Sequence, residues 1–174
     1  MSRKSPFRNA VEKIAVPWAT QHGFARASAY VFTRPSGIPD VLEVIELQKS
    51  VKRPFRTFTI NLGLFHPQFT TTPPPAPDAV ASVKCARRIR VGWVMPKSFW
   101  SRVLVWLRYG NGWHFWQVFP GDFWWSYRDS EASLTASLSH ALSQVERYGL
   151  PWFGQFSSLR STDELFDRSP FAAH

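Results

Sequence analysis

Phe7, Val11, Ile14 and Trp18 recur at three- and four-residue intervals and predict a helix with one apolar stripe. Ser5-Pro6 supplies its start, a capping hydroxyl followed by a proline at the first helical position. Pro17 is expected to bend or end this helix, and Gly23 to stop it before Phe24. The pattern then changes to a period of two. Arg26 to Thr33 and Val41 to Leu47 read as strands on either side of the turn-forming run 34–40. Phe55 to Phe65 is the clearest strand: Phe58, Ile60, Leu62 and Leu64 alternate with Thr57, Thr59 and Asn61. Such alternation suits an antiparallel sheet with helices over one face.

His66 to Asp78 interrupts the pattern with Pro73-Pro74-Pro75-Ala76-Pro77, which forbids regular pairing and predicts an extended loop. Strand signals resume at Arg88-Ile89-Arg90-Val91, with the two arginines on one face and the aliphatics on the other. Asn111-Gly112 predicts a tight hairpin whose arms run from Val103 to Tyr109 and from Trp113 to Phe119. Asp129 then reads as the cap of a helix with apolar positions Leu134, Leu138, Ala141, Leu142 and Val145. Gly149 is expected to end it and Pro151 to prevent its continuation. Ser161-Thr162-Asp163-Glu164 has capping-box spacing for a last short helix. The expected architecture is a single α+β domain over 1–174: an antiparallel sheet packed by an N-terminal helix and C-terminal helices. A Pro-rich loop at 66–78 and an inserted hairpin at about 95–120 complete it.

Composition narrows the class. A chain of 174 residues that is 44% hydrophobic and 19% charged is globular and long enough to bury one core. Cys85 is the single cysteine, so no internal disulfide forms and a reducing, cytoplasmic setting is expected. No apolar run approaches the roughly 20 residues of a membrane helix, and Met1 to Lys13 lacks the apolar stretch of a secretory signal.

Charge adds the functional hint. From Leu47 to Gly121 there are eleven Lys and Arg residues against one acid, Asp78, while the rest of the chain has ten against eleven, so the whole formal charge of +9 arises in that window. Trp93, Trp100, Trp106, Trp113 and Trp116 share the window. Cations with interleaved rings suit an anionic partner. The candidate anion- or partner-binding residues are Lys49, Lys52, Arg53 and Arg56 on one side, and Lys84, Arg87, Arg88 and Arg90 on the other.

Catalytic patterns do not emerge. Gly110-Asn111-Gly112 begins like a dinucleotide fingerprint, but Phe115 stands where the third glycine belongs. There is no phosphate-binding lysine loop and no nucleophile elbow. The five histidines have no spacing that places two on one helix face, and no metal or cofactor is expected. Glu43 and Glu46, three apart in a strand, point to opposite faces. Cys85 has cationic neighbours that favour thiolate, against a structural reading as a small residue at a strand start.

Gly23-Phe24, Leu47-Gln48-Lys49-Ser50, Asn61-Leu62-Gly63, Trp124-Trp125 and Gly149-Leu150-Pro151, taken in order, resemble the pattern of the domain of unknown function 4304 family. The resemblance covers most of the chain and implies an α+β fold, with no established activity or catalytic residue. It departs in one place, where Met95 to Pro120 replaces a short connection. The expectation is a non-catalytic binding module with a basic surface for an acidic protein partner, in an accessory or immunity-type role. A nucleic-acid-binding sheet face is the alternative, and an enzyme with an unrecognised site a further one.

Overall fold

The computed structural model describes residues 5–50, 56–67, 85, 87–95, 98, 103–104, 106–108, 123–128 and 130–157. Lys52, Arg53, Lys84, Asp129, Asn111-Gly112, most of the Pro-rich loop and the capping box at 161–164 lie outside them.

Helix α1 begins where the sequence places it, with Ser5 Oγ accepting from the Arg8 N–H at 3.3 Å and Pro6 in the first turn. It runs as an α-helical segment Pro6–Ala10, a π turn Val11–Ala15 and a second α-helical segment Val16–Gln21. The Val16 N–H reaches back five residues to the Val11 carbonyl. Pro17 follows at the start of the next segment, where its missing N–H is least costly, so the helix passes through the proline instead of ending at it. The extra residue of the π turn rotates everything beyond it. Phe7, Ala10 and Val11 are buried, but the stripe then passes to Ala15 and Ala19, leaving Ile14 and Trp18 only partly covered. Gly23 closes the helix with φ of +76°, a conformation glycine adopts without steric penalty.

Strands β1 (Ala25–Arg26), β2 (Val31–Pro35), β3 (Leu42–Lys49), β4 (Thr57–Phe65) and β5 (Arg87–Arg90) form an antiparallel sheet in that order. Strand β6 (Trp125–Ser126) pairs with the beginning of β4, so β5 and β6 lie in tandem along the same side of it. The fold is therefore the expected single α+β domain. The predicted strand at 26–33 divides instead into β1 and β2, linked by a turn in which Arg26 bonds the Ser28 and Ala29 carbonyls.

β4 is the centre of the molecule and is buried along its whole length. Phe58, Ile60, Leu62 and Leu64 enter the main core with Phe7, Val11, Leu134, Leu138 and Trp125. Thr57, Thr59 and Asn61 on the other face are also buried, which corrects the expectation of one solvated face. Thr59 meets the demand for a partner by donating to the Phe123 carbonyl at 2.8 Å.

Ser130, one residue after the predicted Asp129, caps α3 by accepting from the Ser133 N–H. α3 comprises Glu131–Gln144, a π turn Val145–Gly149 and Leu150–Gly154. It repeats the device of α1: the Leu150 N–H bonds the Val145 carbonyl, and Pro151 is carried into the following segment. Gly149 does not stop the helix. Its bare Cα lets α3 approach Leu62 of β4, whose side chain would lie 3.1 Å from an added Cβ.

A further departure concerns the predicted hairpin. Residues 103–104 and 106–108 are helical. Val103 and Trp106 are partly buried at three-residue spacing while Leu104 and Leu107 point outward, an arrangement that a period of two does not provide.

Candidate functional site

β5 pairs Leu64 with Arg87, Leu62 with Ile89, Gly63 with Arg88 and Asn61 with Arg90. Directly opposed residues share a face. Arg87 and Ile89 thus join the helix-covered face, and Arg88 and Arg90 the other, as the alternation predicts. Arg88 is exposed. The Arg90 guanidinium lies 5.5 Å from the centre of the Trp124 ring, and the Arg87 guanidinium 5.7 Å from that of Phe156. Burial lowers the pKa of both, and Arg88 adds to the effect on Arg90.

The other described candidates lie elsewhere. Lys49 is exposed at the end of β3, opposite Phe58. Arg56 immediately precedes β4, exposed, and lines a cleft with Tyr127. Phe58 and Asn61 are three residues apart, so Lys49 and Arg90 are separated by roughly 10 Å along the sheet, on opposite faces. The structure keeps Arg88 and Arg90 together, sends Arg87 into packing and places Lys49 with Arg56 at the far end.

Sequence reasoning passed over the exposed apolar side chains that follow β5 along the chain. Helix α2 (Val91–Val94) follows β5 directly and exposes Trp93 at 52%; Leu104 and Leu107 are exposed at 67% and 68%. These three are the exposed large hydrophobic side chains among the described residues. Arg108 follows them, close enough to lower the His140 pKa. The available signal was the run Val103-Leu104-Val105-Trp106-Leu107, which has no polar position to turn outward in a strand.

The short motifs of the sequence have architectural roles. Asn61 Nδ2 donates to Gln48 Oε1 at 2.9 Å and to Glu46 Oε2 at 3.3 Å, tying β4 to β3. Gln48 is therefore committed, and the strand continues through Lys49 before the bend. Gly63 leaves room for Cys85, whose side chain would collide with a Cβ there. Trp125 is fully buried between Phe58 and Phe123, and its Nε1 donates to His140 Nδ1 at 3.0 Å.

Burial moves the titration of Cys85 and of His140 away from neutrality. Burial, reinforced by Glu46 and opposed by Arg88, pushes the Cys85 thiol up to about 12, so the thiolate reading fails. Burial and Arg108 push His140 down to about 4. Glu43 is on the helix face, opposite to Glu46, with Arg34 donating to it at 2.6 Å; burial nonetheless raises its pKa. Among the described residues no group of three or more His, Cys, Asp or Glu side chains could hold a metal ion, and no helix is long and apolar enough to cross a membrane.

The arrangement defines an α+β domain in which two helices, each carrying a π turn, cover one face of an antiparallel sheet and the polar motifs hold that architecture together. The chain belongs to the family described as Domain of unknown function (DUF4304), whose pattern matches residues 14–155. No curated protein and no solved structure matches it.

Proposed function

We propose that the domain is a non-catalytic binding module that receives an acidic segment of a protein partner, with contacts from Arg88, Arg90 and the exposed Trp93, Leu104 and Leu107. The observation that carries this reading is the exposure of three large apolar side chains, Trp93, Leu104 and Leu107, in the stretch of chain that follows the arginine-rich strand. Exposed aromatic and aliphatic side chains, with guanidinium groups, are enriched at protein-binding surfaces. The excess of cations in the same stretch of chain selects an acidic occupant. Displacement of the Cys85 and His140 pKa values away from neutrality supports a role without acid–base chemistry. Membership of the family adds no activity to this reading.

Affinity purification of the tagged chain at physiological salt, with and without nuclease, tests the proposal against the doubly substituted R88E/W93S chain. An acidic protein is expected to co-purify, to resist nuclease and to be lost with the variant. Recovery that nuclease abolishes would instead support the nucleic-acid reading, for which the Arg90–Trp124 pair is the favouring feature. Equal recovery by the variant would remove these residues from consideration.

A further inference from the structure

A different basic site lies on the helix-covered face, away from Arg88 and Arg90. The beginnings of α1, β4 and α3 and the end of β6 enclose a cleft of about 630 Å³, a size typical of small-ligand sites. Among the described residues Lys13, Arg56 and Arg128 line it, with the carboxylate of Glu131. Lys13 donates a hydrogen bond to Glu131 and thereby holds that carboxyl below its ordinary pKa. The described part of the lining therefore carries a formal excess of two positive charges.

Two further features suit an anion. Tyr127 is half-buried, its ring stacked on Phe7 with centres 5.9 Å apart. Burial raises the pKa of its phenol against the opposing influence of Arg56, so the group remains a hydrogen-bond donor at neutral pH. The α3 segment Glu131–Gln144 also begins at the cleft and adds the positive end of its dipole. The cleft is much larger than a phosphate ion, and Leu134 and Ala10 give it an apolar part.

From this combination we infer that the cleft binds a small organic phosphate monoester. Arg56 and Arg128 face the dianion, Tyr127 donates to it, and the organic body lies against Leu134. The site is independent of the protein-binding surface, so either can fail without the other.

Titration calorimetry of the full chain with phenyl phosphate, at constant ionic strength, tests this. Saturable binding is expected, with inorganic phosphate binding more weakly because it has no apolar body. R56Q and R128Q should each weaken phenyl phosphate by about tenfold, the loss of one charge-assisted contact. E131Q should tighten it, a change that unfolding cannot imitate, and R88Q should leave it unaltered. Circular dichroism establishes that each variant is folded. Absence of saturation, equal affinity for inorganic phosphate, or indifference to both arginine substitutions would overturn the inference.

Discussion

His140 shows how a single side chain acquires a property from what surrounds it. Its Nδ1 accepts from Trp125, which places the proton of the neutral ring on Nε2. An unfolded chain takes up a proton near pH 6.5, whereas the folded chain resists until about pH 4. The unfolded state binds more protons in that interval, so stability is full above it and falls as the pH drops through it. Glu43 acts in the opposite sense: burial raises its folded pKa, so its contribution weakens as the pH rises above the unfolded carboxyl value. His140→Asn retains an acceptor for the indole and removes the titration. Thermal melting between pH 4 and 7 should show a shallower dependence for this variant than for the parent chain. An unchanged slope would assign the pH response to other groups. Nothing in the sequence around His140 announced this behaviour, because Trp125 and Arg108 reach it from distant segments.

At the scale of elements, Val16-Pro17-Trp18 and Leu150-Pro151-Trp152 occupy the same position in their helices, just after a π turn. In both, the buried stripe advances in steps of four residues: Val11, Ala15 and Ala19 in α1, Val145, Gly149 and Phe153 in α3. A proline within a regular α-helix costs about 3 kcal/mol because it removes a bond and clashes with the preceding turn. The π turn avoids much of this. Pro17→Ala is therefore expected to change stability by less than about 1 kcal/mol, most of it through unfolded-chain entropy. Ala136→Pro, at an exposed position of regular α3, should cost about 3 kcal/mol or more. Denaturant titration of both variants checks the contrast, and equal losses would deny the π turns this role. The sequence showed both helices through their periodicity, but a helix that survives its proline looks locally like one that stops there. The carbonyl that accepts five residues away is visible only once the backbone is in place.

For the whole molecule, one strand sets the cooperativity. β4 contacts β3, β5 and β6, and its core face meets α1 and α3 through Phe7, Val11, Leu134 and Leu138. With a single main core, the described elements have no independent unit to melt first. Denaturation followed by far-ultraviolet circular dichroism and by tryptophan fluorescence should give coincident transitions, and separated midpoints would divide the core. The same architecture dispersed the basic segment. A strand alternates its side chains, so Arg87 and Arg88 were bound to part company, and the sequence already paired Arg88 with Arg90. Its pattern could not show that Lys49 and Arg56 would face the helix side at the other end of the sheet.

By itself the sequence determined the helix starts at Ser5, the strand alternation of β4, the α+β class and the family motifs. These are properties of neighbouring residues: periodicity, a capping hydroxyl, a proline's fixed φ. Tertiary structure decided which cations lie together, which apolar groups stay exposed, and that Lys13, Arg56 and Arg128 converge on one cleft. They come from α1, the approach to β4 and the end of β6, and only the pairing of β6 with β4 and the packing of α3 on α1 join them. Contacts between residues more than forty positions apart leave no periodic trace in a sequence.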